Sequence, residues 1–286
     1  MAGTLFVVAT PIGNLEDLTF RALRTLREVD VIAAEDTRRT AKLLAHYNVR
    51  KSVVSLREHN EARETPRLLQ RIESGESVAL VSDAGTPTIA DPGARLVRGA
   101  HDRGLKVVPI PGPSAVAAAL SVSGFSAEQF VFLGFPPSSG AARDRWFHDL
   151  IREKRVAVFF ESPHRIRRTL RETLSLVERP IIVARELTKL HEQLVIKPNR
   201  LIIDVLHEIG EFCVIVDSPH EPGVQTVDSD AVATMFGHLT HSGAIGADAA
   251  NAILSHSFNI PVSEVKKLIK KARIEAKQRE NPPTLT

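Results

Sequence analysis

Five short loops rich in proline, glycine and carboxylates most constrain how this chain can fold. Each loop follows a run of apolar residues, many of them β-branched, which is the pattern of a buried strand in a parallel sheet. The loops lie at residues 10–14, 35–38, 82–87, 111–115 and 161–165. Open α/β sheets bind their ligands at the carboxyl ends of their strands. The sequence therefore predicts an α/β protein whose ligand site is built from these loops.

The N-terminal part of the chain alternates between strand and helix patterns. Strands are predicted at residues 4–9, 30–34, 53–56, 78–81 and 106–110. Helices are predicted between them at residues 19–28, 40–46, 65–74 and 94–103. This order favours a mostly parallel sheet with helices on both faces.

A second α/β unit is predicted after the break at Pro111-Gly112-Pro113. It begins with a helix of small residues at 114–121. The strands that follow are predicted at residues 130–135, 156–160, 181–184 and 211–217, with a helix at 201–208. Residues 218–223 have the composition of a linker, and a basic helical segment follows. We therefore predict domains at residues 1–113, 114–220 and 226–286.

Composition supports a cytoplasmic protein with well-formed cores. The chain has 286 residues, 43% of them hydrophobic, which suffices for two domains and a small third. Its only cysteine, Cys213, lies in an apolar run, so we expect a buried thiol and no internal disulfide. No apolar stretch approaches the roughly 20 residues of a membrane span. We therefore expect no membrane partner. The start of the chain lacks the features of a secretion signal, so we expect the protein not to be secreted.

Several common site motifs are absent. No G-x-G-x-x-G follows the first strand, and the chain has no P-loop, no H-E-x-x-H and no G-x-S-x-G. Three aspartates, Asp36, Asp83 and Asp91, are possible magnesium ligands, but their spacing matches no known pattern. We therefore expect no metal site. The absence of these motifs leaves open a site in which backbone loops bind the ligand and side chains position it or act as acids and bases.

The loop at residues 82–87 is the most informative of the five. Gly85 permits close approach of a ligand to the backbone, and Thr86 supplies a hydroxyl. Asp91 is predicted to cap the next helix, with Pro92 at its first position. In the same way, Ser162 is predicted to cap a helix that begins at residue 163. Ser114 and the amides after it could receive a ligand carboxylate at a helix N-terminus.

The positive charge of the chain is concentrated in three clusters. The net charge is +3 and the isoelectric point about 9.1. The clusters are Arg38, Arg39 and Lys42; Arg165, Arg167, Arg168 and Arg171; and Lys266, Lys267, Lys270, Lys271, Arg273 and Lys277. Such patches can contact the phosphates of a polyanion, although a solvated helix face is the simpler interpretation of each.

Taken in order, the motifs of this chain resemble those of the ribosomal RNA small-subunit methyltransferase I family, which belongs to the tetrapyrrole-methylase superfamily. The matching segments are 5–19, 34–38, 58–61, 82–87, 91–93, 109–115, 132–135, 160–165 and 185–192. They extend over residues 4–195. The chain from residue 194 onward is less typical, and the first loop has fewer glycines than is usual in the superfamily.

The resemblance implies two α/β domains with S-adenosylmethionine between them, a small C-terminal helical domain, and a homodimer. It implies methyl transfer to the 2′-hydroxyl of a decoding-centre cytidine of 16S ribosomal RNA in the small ribosomal subunit. The cofactor contacts that it implies are Pro11, Asp83, Gly85, Thr86, Ile89, Ser114, Ala115, Phe160 and Leu187.

A ribose hydroxyl is a weak nucleophile, so a proton acceptor should assist the reaction. We predict catalytic roles for Glu161, Glu186 and Lys189, with Glu35, Asp36, His164 and His191 as further candidates for the acceptor. We predict RNA contacts from Arg38, Arg165, His191, Lys266, Lys267, Lys270 and Lys271.

Two alternative functions stay open from the sequence. A small-molecule methyltransferase acting on a tetrapyrrole would share the cofactor loops, but the basic C-terminal segment argues against it. A non-catalytic RNA-binding assembly protein could keep the fold, but the retained loops argue against it.

Overall fold

The computed structural model describes residues 1–197, 199–219, 229–241, 245–257 and 262–280. The chain forms two compact units, Met1–Pro219 and His220–Thr286. The first unit contains two five-stranded sheets. The described part of the second unit is helical.

The first sheet is entirely parallel, with strand order β3-β2-β4-β1-β5. Its strands are β1 (Thr4–Val8), β2 (Val31–Ala34), β3 (Ser52–Ser55), β4 (Val78–Val81) and β5 (Lys106–Ile110). Its helices are α1 (Phe20–Glu28), α2 (Thr37–His46), α3 (Glu61–Glu73) and α4 (Ala94–Asp102). Residues of α1 and α2 pack in one core and those of α3 and α4 in another, on opposite faces of the sheet. The predicted parallel sheet with two covered faces is confirmed.

The position of β1 beside β4 creates a crevice in this sheet. After β1 the chain continues to β2 on the far side of β4, whereas after β4 it continues to β5 on the far side of β1. The two connections therefore leave in opposite directions. Ligands bind at such a switch point, outside the carboxyl ends of the two strands. The loops that follow β1 and β4 face each other at this place.

The second sheet is mixed, with strand order β6-β7-β10-β8-β9. Its strands are β6 (Phe130–Phe132), β7 (Val156–Glu161), β8 (Ile181–Arg185), β9 (Gln193–Ile196) and β10 (Phe212–Val216). β10 runs antiparallel to both β7 and β8. Helix α5 (Ala115–Ser123) covers one face, and α6 (Gly140–Arg152) and α7 (Ile166–Leu176) cover the other.

Some local predictions for the first unit are wrong. The helix expected at residues 201–208 is only the short α8 (Asn199–Ile202), and β6 ends at Phe132 rather than at residue 135. Helix α4 is capped by Gly93 instead of Asp91, and α7 begins three residues after Pro163, so Ser162 is not its cap. Neither α6 nor β9 was predicted from the sequence.

The second unit contains α9 (Ser229–His241), α10 (Ala247–Ser257) and α11 (Val262–Glu280). These helices pack around a small core of Val232, Leu254, Val265 and Ile269. Residues 220–223 of the predicted linker lie outside the described residues, as do residues 226–228, 242–244, 258–261 and 281–286 of the predicted third domain. The three domain boundaries stay predictions. Within the described part of the chain, no helix is long and apolar enough to cross a membrane.

Candidate active site

The loops after β1 and β4 are joined by paired backbone hydrogen bonds. The amide of Thr10 donates to the carbonyl of Gly85 over 2.9 Å, and the amide of Gly85 donates back over 3.0 Å. The Thr10 hydroxyl also donates to the carbonyl of Ser82 over 3.1 Å. Gly85 has φ +78°, and an added Cβ would lie 3.4 Å from the Ile12 side chain. Glycine at this position thus permits both the turn and the close packing of the two loops.

A cavity of about 370 Å³ opens between these loops and the second sheet. The first sheet contributes residues 83–86 and 89–91 together with Ile12, Glu35 and Arg39. The second half contributes residues 114–116, 160–163 and 211–213 together with Phe135, Ala184 and Leu187. The aromatic ring of Phe160 packs edge-on against Phe132 at 4.8 Å and tilted against Phe135 at 5.5 Å. We call the side lined by Glu35, Asp83 and Asp91 of the first sheet the polar wall, and the side lined by Phe135, Phe160, Ala184 and Leu187 the apolar wall. The second half also contributes the carboxylates Glu161 and Glu211 to the lining.

The polar wall is acidic. Glu35, Asp83 and Asp91 all line the cavity, and one buried carboxylate oxygen of Glu35 has no hydrogen-bond partner. Burial and the neighbouring Asp83 charge raise the pKa of Glu35. Burial, followed by the Glu35 charge, raises the pKa of Asp91 to about 7. Since Arg39 is the only cation among the lining residues, the wall is suited to a positively charged ligand.

The Glu161 carboxylate is held by three donors at the end of β7. Its oxygens accept from the Arg165 guanidinium, the Thr169 hydroxyl and the Ser162 amide, each over 2.7 Å. Arg143 in turn donates to the Thr169 hydroxyl over 2.9 Å. Glu161 is fully buried although it borders the cavity. These three donors hold the carboxylate in place at the end of β7.

A second ionic cluster follows β8. The Lys189 ammonium lies 2.8 Å from a Glu186 carboxylate oxygen and 3.1 Å from a Glu211 oxygen. Burial acts to raise the pKa of Glu186, but Lys189 and the Glu211 amide lower it below its usual value. Glu186 and Thr188 have positive φ angles of 51° and 66°, which is rare, especially for a β-branched residue.

The loop after β1 also packs directly on this cluster. The Asn14 amide donates to the Thr188 hydroxyl over 3.0 Å. A Cβ added to Gly13 would lie 2.4 Å from Cγ of Lys189 and 2.8 Å from the Thr188 hydroxyl. The two sheets therefore meet at a close contact that only glycine permits.

Helix α5 begins at the cavity. The Ser114 hydroxyl accepts from the Ala117 amide over 3.5 Å and caps the helix. The Thr86 hydroxyl donates to the carbonyl of Pro113 over 3.2 Å, which ties the glycine loop to the start of α5. Ser114 and Ala115 both line the cavity, so the N-terminus of α5 faces a bound ligand.

Comparisons with known proteins agree with this arrangement. Residues 4–200 match the family model of the tetrapyrrole (corrin/porphyrin) methylases. A protein of Vibrio cholerae named ribosomal RNA small subunit methyltransferase I is 43% identical over 241 residues, which cover 82% of this chain and 84% of the relative. A protein of the same name from Thermotoga maritima is 50% identical over 192 residues, covering 67% of this chain and 86% of the relative.

The chain belongs to the ribosomal RNA small subunit methyltransferase I family of the tetrapyrrole methylases. Solved structures show the same fold at lower sequence identity. Diphthine synthase superposes with a TM-score of 0.61 and 16% identity, covering 75% of this chain and 90% of the other. Uroporphyrin III C-methyltransferase of Thermus thermophilus gives 0.55 and 20%, covering 74% and 97%.

The structure brings most of the predicted cofactor residues of this family member together. Eight of them border the 370 Å³ cavity: Asp83, Gly85, Thr86, Ile89, Ser114, Ala115, Phe160 and Leu187. Pro11 borders instead an adjoining cavity of about 280 Å³, together with Lys189. The predicted catalytic residue Glu161 borders the first cavity, whereas Glu186 borders neither. Their roles stay predictions.

The predicted RNA-binding residues belong to both units of the chain. Arg38, Arg165 and His191 border neither cavity. Arg38 instead forms an ion pair of 2.9 Å with Asp36, whose pKa it lowers. Lys266, Lys267, Lys270 and Lys271 are on α11 in the second unit, where Lys266 lies 3.6 Å from Asp248. Among the described residues, no group of three or more acidic, histidine or cysteine side chains could hold a metal ion.

Several residues of the cavity wall were not predicted from the sequence. Phe135, Ala184, Glu211 and Phe212 were assigned no role, and Cys213 was predicted only to be a buried thiol. That prediction is confirmed, and burial raises the pKa of the Cys213 thiol to about 12. Asp91 was assigned a capping role that Gly93 fills. Its position before an Asp-Pro-Gly turn was the available signal that it lies outside the helix.

Proposed function

We propose that the protein methylates the 2′-hydroxyl of a decoding-centre cytidine of 16S ribosomal RNA within the small ribosomal subunit. The coarser activity follows from family membership: the chain is a ribosomal RNA methyltransferase that uses S-adenosylmethionine. The observation that carries the proposal is the cavity at the switch point of the first sheet, with one acidic and one apolar wall.

The residues of the cavity fit S-adenosylmethionine. The unpartnered carboxylate oxygen of Glu35, beside Asp83 and Asp91, suits the positive charge of a sulfonium and an ammonium group. Phe160, Ala184 and Leu187 on the opposite wall suit an adenine ring. Ser114 and the amides at the start of α5 suit a carboxylate. When bound, S-adenosylmethionine supplies an electrophilic methyl group with its own leaving group.

The protein must then position the ribose hydroxyl and receive its proton. Glu35 borders the cavity, has a free oxygen and has a raised pKa, all of which suit a proton acceptor. Glu161 is saturated with donors, and we assign it the role of holding the end of β7 in place at the cavity. We assign Lys189, positioned by Glu186, to the negative charge that develops as the hydroxyl is deprotonated.

Contacts with the RNA are proposed outside the cavity. Arg38, Arg165 and His191 in the first unit and the four lysines of α11 are cations or potential donors that phosphates would attract. We further propose that the protein acts as a homodimer in the cytoplasm, where its ribosomal substrate is found. Helix α11, which carries several lysines and follows the residues matched by the methylase family model, supports an RNA substrate over a tetrapyrrole.

The test is to incubate the protein with labelled S-adenosylmethionine and with small ribosomal subunits that lack this modification. We expect one label per subunit, on a ribose 2′-oxygen of a decoding-centre cytidine mapped by mass spectrometry. Transfer to a porphyrinoid and none to RNA would establish the tetrapyrrole alternative. Failure to bind S-adenosylmethionine in calorimetry would favour the non-catalytic alternative.

A further inference from the structure

The second cavity adjoins the first and has more cationic side chains in its lining. Its volume is about 280 Å³, and five residues border both cavities: Ile12, Arg39, Asp83, Ala84 and Glu211. The residues that border only the second are Thr10, Pro11, Gly13, Leu15, Thr40, Lys42, Leu43, Ser82 and Lys189. The second cavity therefore lies between the loop after β1 and helix α2, and it shares a wall with the proposed methyl-donor cavity.

Helix α2 presents two cations to this chamber. Arg39 and Lys42 are three residues apart, so they lie on the same face of the helix. Arg39 is 61% exposed, and its nearest carboxylate, Asp83, is 3.6 Å away, longer than a good hydrogen bond. No carboxylate of the described residues pairs with Lys42. The third cation, Lys189, is already bonded to Glu186 and Glu211.

Neighbouring Arg38 provides a contrast within the same helix. Its guanidinium donates to both carboxylate oxygens of Asp36, over 3.2 and 2.9 Å, and it borders neither cavity. The chain thus neutralises the arginine that faces away and leaves Arg39 and Lys42 with charge available for an external anion. A phosphate group matches two such donors.

We propose that the second cavity receives the target nucleotide of the RNA, with its phosphate held between Arg39 and Lys42. The ribose then lies at the residues shared by the two cavities, where its 2′-hydroxyl faces the methyl donor. This inference rests on the proposed function and adds to it the site at which the substrate enters. It gives α2 a role in binding the reacting nucleotide itself.

The first test removes both cations. We expect the double variant Arg39→Ala/Lys42→Ala to lower kcat/KM for unmodified small subunits about a hundredfold, tenfold for each lost charged contact. The slope of log KM against the logarithm of the salt concentration should decrease by about 0.7 to 0.9 for each cation removed. Affinity for S-adenosylmethionine, measured by calorimetry, should stay within about twofold. The matched control is Arg50→Ala. Arg50 lies just before β3, at the amino end of that strand, whereas both cavities lie at the carboxyl ends of the strands, so this variant should change none of these quantities.

A second variant fills the chamber without altering its charge. Leu15 borders only the second cavity and is 37% exposed, so Leu15→Trp should occupy that space while the first cavity keeps its shape. We expect loss of RNA methylation with retained binding of S-adenosylmethionine. If both variants keep the wild-type KM for small ribosomal subunits, this inference is overturned and the proposed function still stands. The inference is likewise overturned if the affinity for S-adenosylmethionine falls as much as kcat/KM does. If the wild-type protein methylates no RNA at all, the proposed function fails and the inference fails with it.

Discussion

Asp91 offers the sharpest test of how the first cavity recognises its cofactor. Its pKa of about 7 lies well above the usual value of about 3.9. A group with this pKa is about one tenth ionised at pH 6 and about nine tenths ionised at pH 8. S-adenosylmethionine carries a net positive charge, so it should bind the form in which Asp91 is ionised. The ratio of ionised fractions then predicts affinity about tenfold higher at pH 8 than at pH 6.

The Asp91→Asn variant removes this titration while it keeps the shape of the side chain. We expect its affinity for S-adenosylmethionine to be nearly independent of pH between 6 and 8, and to match that of the wild type near pH 6. S-adenosylhomocysteine lacks the sulfonium charge and should show a weaker pH dependence with the wild-type protein. Isothermal calorimetry in buffers of different ionisation enthalpy measures both the affinity and the proton released on binding.

The matched control is Asp102→Asn, because Asp102 is an exposed residue at the end of α4, away from the cavity. It should leave the pH dependence of the wild type intact. Equal wild-type affinity at pH 6 and pH 8 would refute the proposed role of the Asp91 charge. An unchanged pH slope in Asp91→Asn would refute the assignment of the titrating group.

The same residue links stability to pH. Because the folded state holds a proton that the unfolded state releases above about pH 4, stability conferred by the protonated group is lost as pH rises from about 4 to 7. About three pKa units correspond to about 4 kcal/mol, which solvent screening at a partly exposed carboxyl reduces to roughly 1–2 kcal/mol. In the absence of cofactor, Asp91→Asn should therefore unfold at higher urea than the wild type at pH 8, and at similar urea at pH 4.

Three further substitutions follow from contacts at the site. Glu35→Gln should lower the pKa of Asp91, since the Glu35 charge helps to raise it, and calorimetry should show the midpoint of the pH dependence shifted toward acid. Glu161→Gln should lower the free energy of unfolding in urea by about 3 kcal/mol, because it leaves Arg165 without its buried carboxylate partner. The control Glu64→Gln, which removes an exposed ion pair, should lower it by less than about 1 kcal/mol. Gly13→Ala should cost about 1–3 kcal/mol and weaken S-adenosylmethionine binding, because its Cβ would overlap Lys189, whereas Gly237→Ala in α9, where a Cβ meets nothing within 4 Å, should be neutral or stabilising.

Apolar strand patterns were sufficient to predict the first sheet and the location of its site. β4 and β5 have the predicted bounds, and the loops at residues 10–14 and 82–87 meet as expected. This worked because a parallel sheet has one ligand-binding edge, and every strand ends there. Once the strands are recognised, the residues that follow them are candidates for the site without any knowledge of strand order.

In the second sheet, the residues that border the site do not all follow a strand. β10 runs antiparallel to β7 and β8, so its first residues, rather than its last, lie beside the ends of those strands. Glu211, Phe212 and Cys213 therefore border the cavity although they precede or begin a strand. Strand direction is decided by pairing over long sequence separations. Periodicity within a single strand carries no information about it.

Helix caps were the other source of error, and their physical cause is local. Asp91 has the composition of a cap, yet the helix begins after Gly93, which has φ +120° and packs so closely on Leu80 that a Cβ would lie 2.6 Å from its side chain. The chain must approach β4 at this glycine before α4 can begin. Asp91 is thereby left outside the helix and faces the cavity, beside Glu35. Because Asp91 was predicted to be a helix cap, it was not predicted to be part of the cofactor site.

No single sequence motif indicates the ligand, because the two sheets contribute different parts of the site. The first sheet supplies Glu35, Asp83 and Asp91, and the second supplies Phe160, Ala184 and Leu187. Each group alone suits many ligands: carboxylates at strand ends bind sugars or cations, and an apolar wall binds any ring. Because both groups line one cavity, together they suit a ligand that is cationic at one end and flat and apolar at the other. That selection depends on the contact between Gly13 and Lys189 which sets the two sheets together, and it exists only in the folded chain.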